Sequence, residues 1–308
     1  MSNESMMCDL ETGVCGVNEE EAMQEINLNH VEKRITLYYA TDPICSHCWA
    51  LEPVLHRFVE EYGHYFTLQV KMGGLLANWN GFSDGANGIQ KPSDVAEHCK
   101  EVGEHSRMPI DGSLWHDNPI LSSYPPSRVF KVIQSTHPGK EHDFLRRARE
   151  AVFAFNRNIG EDDVLTDIVN QLGLNGKEVV EAAAQQSAQE LLEEDFERVA
   201  SLGVRGFPSI VIVNEENQGL KIVGARSLET YVQALQQVLG GDLKPKPITS
   251  LEQKIDKGHL LFSREMEVMY NLEKTDIESY VKSELAEHTY RMGHILNEMY
   301  IEMSLDPV

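Results

Sequence analysis

The feature that most constrains this chain is a pair of cysteines, Cys45-Ser46-His47-Cys48, set between a strand pattern and a helix pattern. Residues 35–40 (ITLYYA) are β-branched and aromatic, and read as a strand closed by Asp42-Pro43. From about residue 48 to 62, Trp49, Leu51, Val54, Leu55, Phe58 and Val59 recur at helical spacing, and Gly63 stops the run. Residues 66–72 alternate Phe66, Leu68, Val70 and Met72 with polar positions, which is a second strand. A strand, crossover helix and strand of this kind form a right-handed parallel unit. A helix N-terminus stabilises a thiolate, so Cys45 is expected to be the reactive thiol. Cys48, three residues on, would resolve a mixed disulfide. His47 would add a donor or a positive charge that favours the Cys45 thiolate. The alternative, half of a structural zinc site, needs two further ligands, which Cys8 and Cys15 could supply only if the N-terminal segment folded back.

Five cysteines cannot all pair within one chain, and the 27 basic against 49 acidic side chains give a net charge of −22. Such a surface repels phosphate backbones and anionic membranes, so neither nucleic acid nor a membrane is an expected partner. No apolar run approaches the ~20 residues of a membrane span. The first basic residue is Lys33, so no signal-peptide pattern is present and a cytoplasmic location is expected.

Residues 203–208 (GVRGFP) run directly into the strand SIVIV. A proline there, on a Gly-flanked loop, is a candidate for a cis peptide bond. Facing the cysteine pair, Pro208 with Phe207 would bind an incoming chain in the manner of an added strand. Trp49 either caps this surface or belongs to the core. Glu52 reads as a solvated helix-face residue, with proton relay from Cys48 the alternative. Trp79, Phe82 and Trp115 line a groove or pack the interior. Cys99, near His98 and His105, reads as a half-buried helix cysteine. Residues 75–202 contain no convincing strand, and 127–135, 141–155, 161–172 and 176–202 look helical. Strands at 209–213 and 220–223 precede a helix at about 228–239. Residues 242–250 read as a linker. Residues 251–308 read as a separate acidic helical extension, with Met266, Met269, Met292, Met299 and Met303 at roughly helical spacing and a hint of a helix-turn-helix.

On DPICSHCWALEP, AVFAFNRNIGEDDVLTDIVNQLGL and LGVRGFPSIVIV, residues 33–240 resemble the DsbA family of the thioredoxin superfamily, in its FrnE-like branch. The resemblance implies an α/β thioredoxin-like fold with an inserted helical domain. Residues 33–74 and 203–241 would form the thioredoxin-like domain and 75–202 the insertion, after an acidic tail at 1–32. It implies a dithiol-disulfide oxidoreductase or isomerase with Cys45 as nucleophile, Cys48 as resolving thiol and Pro208 facing the substrate, which is a protein or small-molecule disulfide. No cofactor or metal is expected. The same stretch, with LSSYPPSRVFK and SREMEVMYNLEKTDIESYVKSEL, is similar to a Firmicute adapter group that delivers the Spx regulator to the ClpXP protease. Those proteins bind rather than catalyse, and they carry a His- and Cys-rich zinc segment that is reduced here to Cys8, Cys15 and the later His30.

Overall fold

The computed structural model describes residues 35–85, 87–255 and 259–304. The expected acidic tail, with Cys8 and Cys15, lies outside them. Strand β1 (Ile35–Thr41), helix α1 (Ser46–Tyr62) and strand β2 (Phe66–Met72) follow the sequence pattern. β1 and β2 are parallel, in register from Ile35 opposite Phe66 to Thr41 opposite Met72. α1 ends at Gly63, whose N–H bonds the Val59 carbonyl at 2.8 Å. A side chain at Gly63 would strike that same carbonyl oxygen, which is why glycine stands there.

The insertion carries α2 (Pro92–Ser106), α3 (Leu114–Asp117), α4 (Tyr124–Thr136), α5 (Lys140–Arg149), α6 (Asp162–Gln171), α7 (Gly176–Ala183) and α8 (Gln186–Ser201), and no strand element among its described residues. α5 continues into a buried π-helical turn, Glu150–Ala154. The single helix expected over 176–202 is two, because Gln185 adopts an extended backbone. The break lets α7 and α8 each pack an apolar stripe on α4.

The chain then returns as β3 (Ser209–Val213), β4 (Gly219–Val223) and α9 (Leu228–Leu239). β3 lies antiparallel to β1, with Ala40 opposite Ser209, and the sheet order is β2-β1-β3-β4. This is a thioredoxin-like sheet interrupted by a helical insertion.

Residues 242–250 have no regular structure, yet they are not a free linker. Lys244 N–H bonds the Tyr65 hydroxyl at 2.9 Å, Lys246 N–H the Glu61 carbonyl at 2.8 Å, and Thr249 N–H the Glu60 carboxylate at 3.0 Å. The segment is therefore strapped along α1.

The extension departs from the all-helical expectation. It contains α10 (Leu251–Lys254), β5 (Leu261–Phe262), α11 (Ser263–Tyr270), α12 (Ile277–Glu284), β6 (Tyr290–Ile295) and β7 (Glu298–Met303). Helices α11 and α12 supply the helix-turn-helix that the sequence hints at. The last strands form a three-stranded antiparallel sheet in the order β5-β7-β6. Leu296 and Asn297, at φ 50° and 65°, make the two-residue turn of a twisted hairpin. The extension is also not separate, since Phe262 and Leu260 join the main core. Among the described residues, no helix is long and apolar enough to cross a membrane.

Candidate dithiol site

Cys45 is the N-cap of α1, and its Sγ accepts the Cys48 N–H at 3.3 Å. Both thiols are free. Cys45 is 6% exposed and Cys48 is fully enclosed. The loop that carries them is held by Asp42, which is completely buried. Its carboxylate accepts from Ile44 N–H at 3.1 Å, Leu75 N–H at 2.8 Å and the Ser123 hydroxyl at 2.8 Å. One side chain thus ties the cysteine loop to the 73–76 loop and to the start of α4. Burial pushes the Asp42 pKa up to about 6.

Burial, the hydrogen bond shared with Cys48 and the nearby Cys48 and Asp42 charges raise the Cys45 pKa, against the opposing pull of the Cys48 N–H. At Cys48 burial also raises the pKa, but the bond from Cys45, the Arg149 guanidinium and the Thr41 hydroxyl outweigh it and lower the value. In this closed, reduced pair the negative charge is therefore better held by Cys48. His47 is exposed, and its ring meets His98 edge-on at 5.1 Å. Partial burial, with His98 and His105 nearby, lowers its pKa. That direction works against a positive charge at His47.

The Phe207–Pro208 peptide bond is cis, as expected. Pro208 is buried, and Ser209 opposite Ala40 places it at the end of the sheet from which the cysteine loop leaves. Phe207 and Cys45 line one cavity of about 750 Å³, together with Leu75, Trp79, Phe82, Trp115 and Phe196. The groove and packing readings of the aromatics both hold: Trp79 walls the cavity while its indole N–H bonds the Ile120 carbonyl at 2.9 Å. A second, more polar groove of about 850 Å³ shares His47, His98 and Asn87 with the first. It is also lined by Arg57, Arg107 and Arg226.

Trp49 does not reach the substrate surface. It is fully buried, its indole N–H bonds the Pro109 carbonyl at 3.0 Å, and it stacks on Phe153. Helical spacing points it inward, onto the insertion and Phe262. Glu52 is not solvated either. It is 3% exposed and paired with Arg149 at 2.7 Å and Arg146 at 3.0 Å. Cys99, on α2, is fully rather than half buried, and burial pushes its pKa up to about 12. Sequence reasoning missed Asp42, Arg149 and Ser123. Asp42 read only as a turn residue. Arg149 meets its carboxylate 97 positions away, a separation that no local pattern reveals.

The family model described as Thioredoxin matches residues 38–233. The chain is 31% identical over 277 residues to the ClpXP adapter protein SpxH of Halalkalibacterium halodurans, covering 89% of this chain and 90% of that protein. It is 29% identical over 257 residues to SpxH of Bacillus subtilis, covering 82% and 84% respectively. Among solved structures, a candidate protein disulfide isomerase from Nitrosomonas europaea superposes with TM-score 0.56 at 22% identity, over 67% of this chain and 96% of that one. A candidate DsbA oxidoreductase from Streptomyces coelicolor superposes with TM-score 0.54 at 16% identity, over 70% and 94%. These structures establish a DsbA-like fold.

Proposed function

We propose, from the premise that this chain belongs to the thioredoxin family, that it is an adapter of the SpxH type, holding a regulator and presenting it to the ClpXP protease in the cytoplasm. The observation that carries this reading is the extent of the similarity. The match to the Halalkalibacterium halodurans SpxH covers 89% of this chain, which leaves too few residues outside it to omit the extension. The disulfide-enzyme neighbours cover only 67–70%. An adapter needs a surface rather than a turnover cycle, and the two grooves meeting at His47 and His98 offer one. The test is a degradation assay with purified ClpXP and an Spx-type regulator. Adding this chain should speed loss of the regulator at least about tenfold, and Cys45→Ser should keep most of that effect. No acceleration by the wild-type chain would sink the adapter reading.

A second reading is favoured by a specific observation: Cys45 caps a helix and opens on an apolar cavity walled by Phe207. In this reading the protein is a dithiol-disulfide oxidoreductase or isomerase. The Cys45 thiolate attacks a substrate disulfide and forms a mixed disulfide while the other substrate sulfur leaves as a thiol. Cys48 then attacks Cys45 Sγ, closing the internal disulfide and releasing the second substrate thiol. Pro208 and Phe207 receive the substrate chain. A Cys48→Ala variant that accumulates many mixed disulfides supports this reading, and one that traps none removes it.

A further inference from the structure

A line of buried charge connects the resolving thiol to the C-terminal extension. Arg149, 1% exposed, donates to Glu52 Oε1 at 2.7 Å, to the Thr41 hydroxyl, and to the Asp42 carbonyl at 3.3 Å. The Asp42 carbonyl that takes Arg149 also accepts the Cys45 N–H at 3.2 Å, so the guanidinium sits against the cysteine loop. Arg149 Nε is enclosed and has no hydrogen-bond partner among the described residues. The other oxygen of Glu52 accepts from Arg146 at 3.0 Å. Arg146 in turn forks onto Glu265 of α11, with Nη2 to Oε2 at 2.9 Å, and lies 4.8 Å over the Trp49 ring. Two side chains, Glu52 and Arg146, therefore bridge the extension and the guanidinium beside Cys48.

A buried guanidinium with an unused donor is costly unless an anion joins it. Glu52 supplies one anion and shares it with Arg146. Beyond Glu52, the Arg149 charge also acts on the buried Asp42 carboxyl, on Tyr39 and on the sulfur of Cys48, and of these only the Cys48 charge is removed when the pair is oxidised. We propose that Arg149 is the counter-ion of the Cys48 thiolate, and that Glu265 in the extension, acting through Arg146 and Glu52, sets the redox equilibrium of the pair. This rests on the thiol-exchange reading and adds its regulation: whatever loosens the extension changes how readily the pair is oxidised.

The chemistry fixes the signs. A low-molecular-weight disulfide such as glutathione disulfide takes two electrons from Cys45 and Cys48. The glutathione S–S bond breaks as the Cys45–Cys48 bond forms; the Cys45 proton leaves with one glutathione thiol, and the charge of Cys48 leaves on the other glutathione sulfur, which takes a proton from water. The charge on Cys48 disappears in the disulfide. A neighbouring cation therefore favours the dithiol form, and a neighbouring carboxylate favours the disulfide.

The test equilibrates the full-length protein at pH 7 across glutathione buffers and counts the Cys45–Cys48 disulfide by mass after alkylation. Arg149→Met should move the equilibrium toward the disulfide by about tenfold or more, the size expected when a close cation is removed. Arg149→Lys should recover most of that shift. Glu265→Gln removes negative charge from the far end and should move the equilibrium the opposite way, by roughly two- to threefold. A merely structural role would lower the stability of both variants without opposite shifts. Unchanged equilibria, or shifts of one sign, overturn the proposal. If Arg149→Met does not fold, Glu265→Gln decides alone, and no shift toward the dithiol overturns it. A wild-type pair that forms no disulfide in any buffer overturns the thiol-exchange reading itself.

Discussion

Asp42 accepts three hydrogen bonds while completely buried, and burial raises its pKa from 3.8 to about 6. Between those values the folded chain holds a proton that the unfolded chain has released. Stability contributed by the protonated carboxyl is therefore lost as pH rises through this window. The size is about 3 kcal/mol at most, taking 1.36 kcal/mol per unit. Urea titrations at pH 4 and pH 7 should find wild type losing up to that amount relative to Asp42→Asn. A difference between the two proteins that does not change with pH would contradict this. The motif beside Asp42 was legible because its chemistry is local: two thiols one helical turn apart at a helix start. Where the charge of that pair settles was not legible, because Arg149, which lowers the Cys48 pKa, comes from the insertion.

The hairpin of β6 and β7 teaches a lesson at the scale of an element. Met292, Met299 and Met303 fit a helical spacing loosely, and the same residues fit alternation across a hairpin once a turn falls at Leu296-Asn297. Met292 pairs opposite Ile301 and Gly293 opposite Tyr300. The Tyr300 ring occupies the place a side chain at residue 293 would need. A leucine at φ 50° that is 48% exposed pays a conformational cost with little burial in return. Leu296→Asn should therefore raise stability by about 0.5–1 kcal/mol in urea unfolding, since asparagine tolerates that conformation better. A loss of stability would mean that Leu296 packs more than its exposure indicates. The β1-α1-β2 unit, by contrast, was readable at once, because each element is long enough for its own period to appear.

For the molecule as a whole, the sequence divided what the fold unites. The apparent linker is strapped to α1, and the extension sends Phe262 against Trp49 and Glu265 to Arg146. None of these contacts leaves a trace in composition, since all join residues far apart along the chain. Cys99 gives a means of watching this assembly open. It is 1% exposed on α2, and its thiol pKa is pushed up to about 12. An alkylating reagent can therefore reach a reactive form of it only after the insertion has come apart. In native buffer, iodoacetamide should label Cys99 at the rate of that opening, and low urea should speed it before any change in overall helicity. Labelling as fast as that of a free cysteine would contradict the burial. If it holds, the chain carries its own stopwatch, a single silent sulfur whose reaction times how often the insertion lets go.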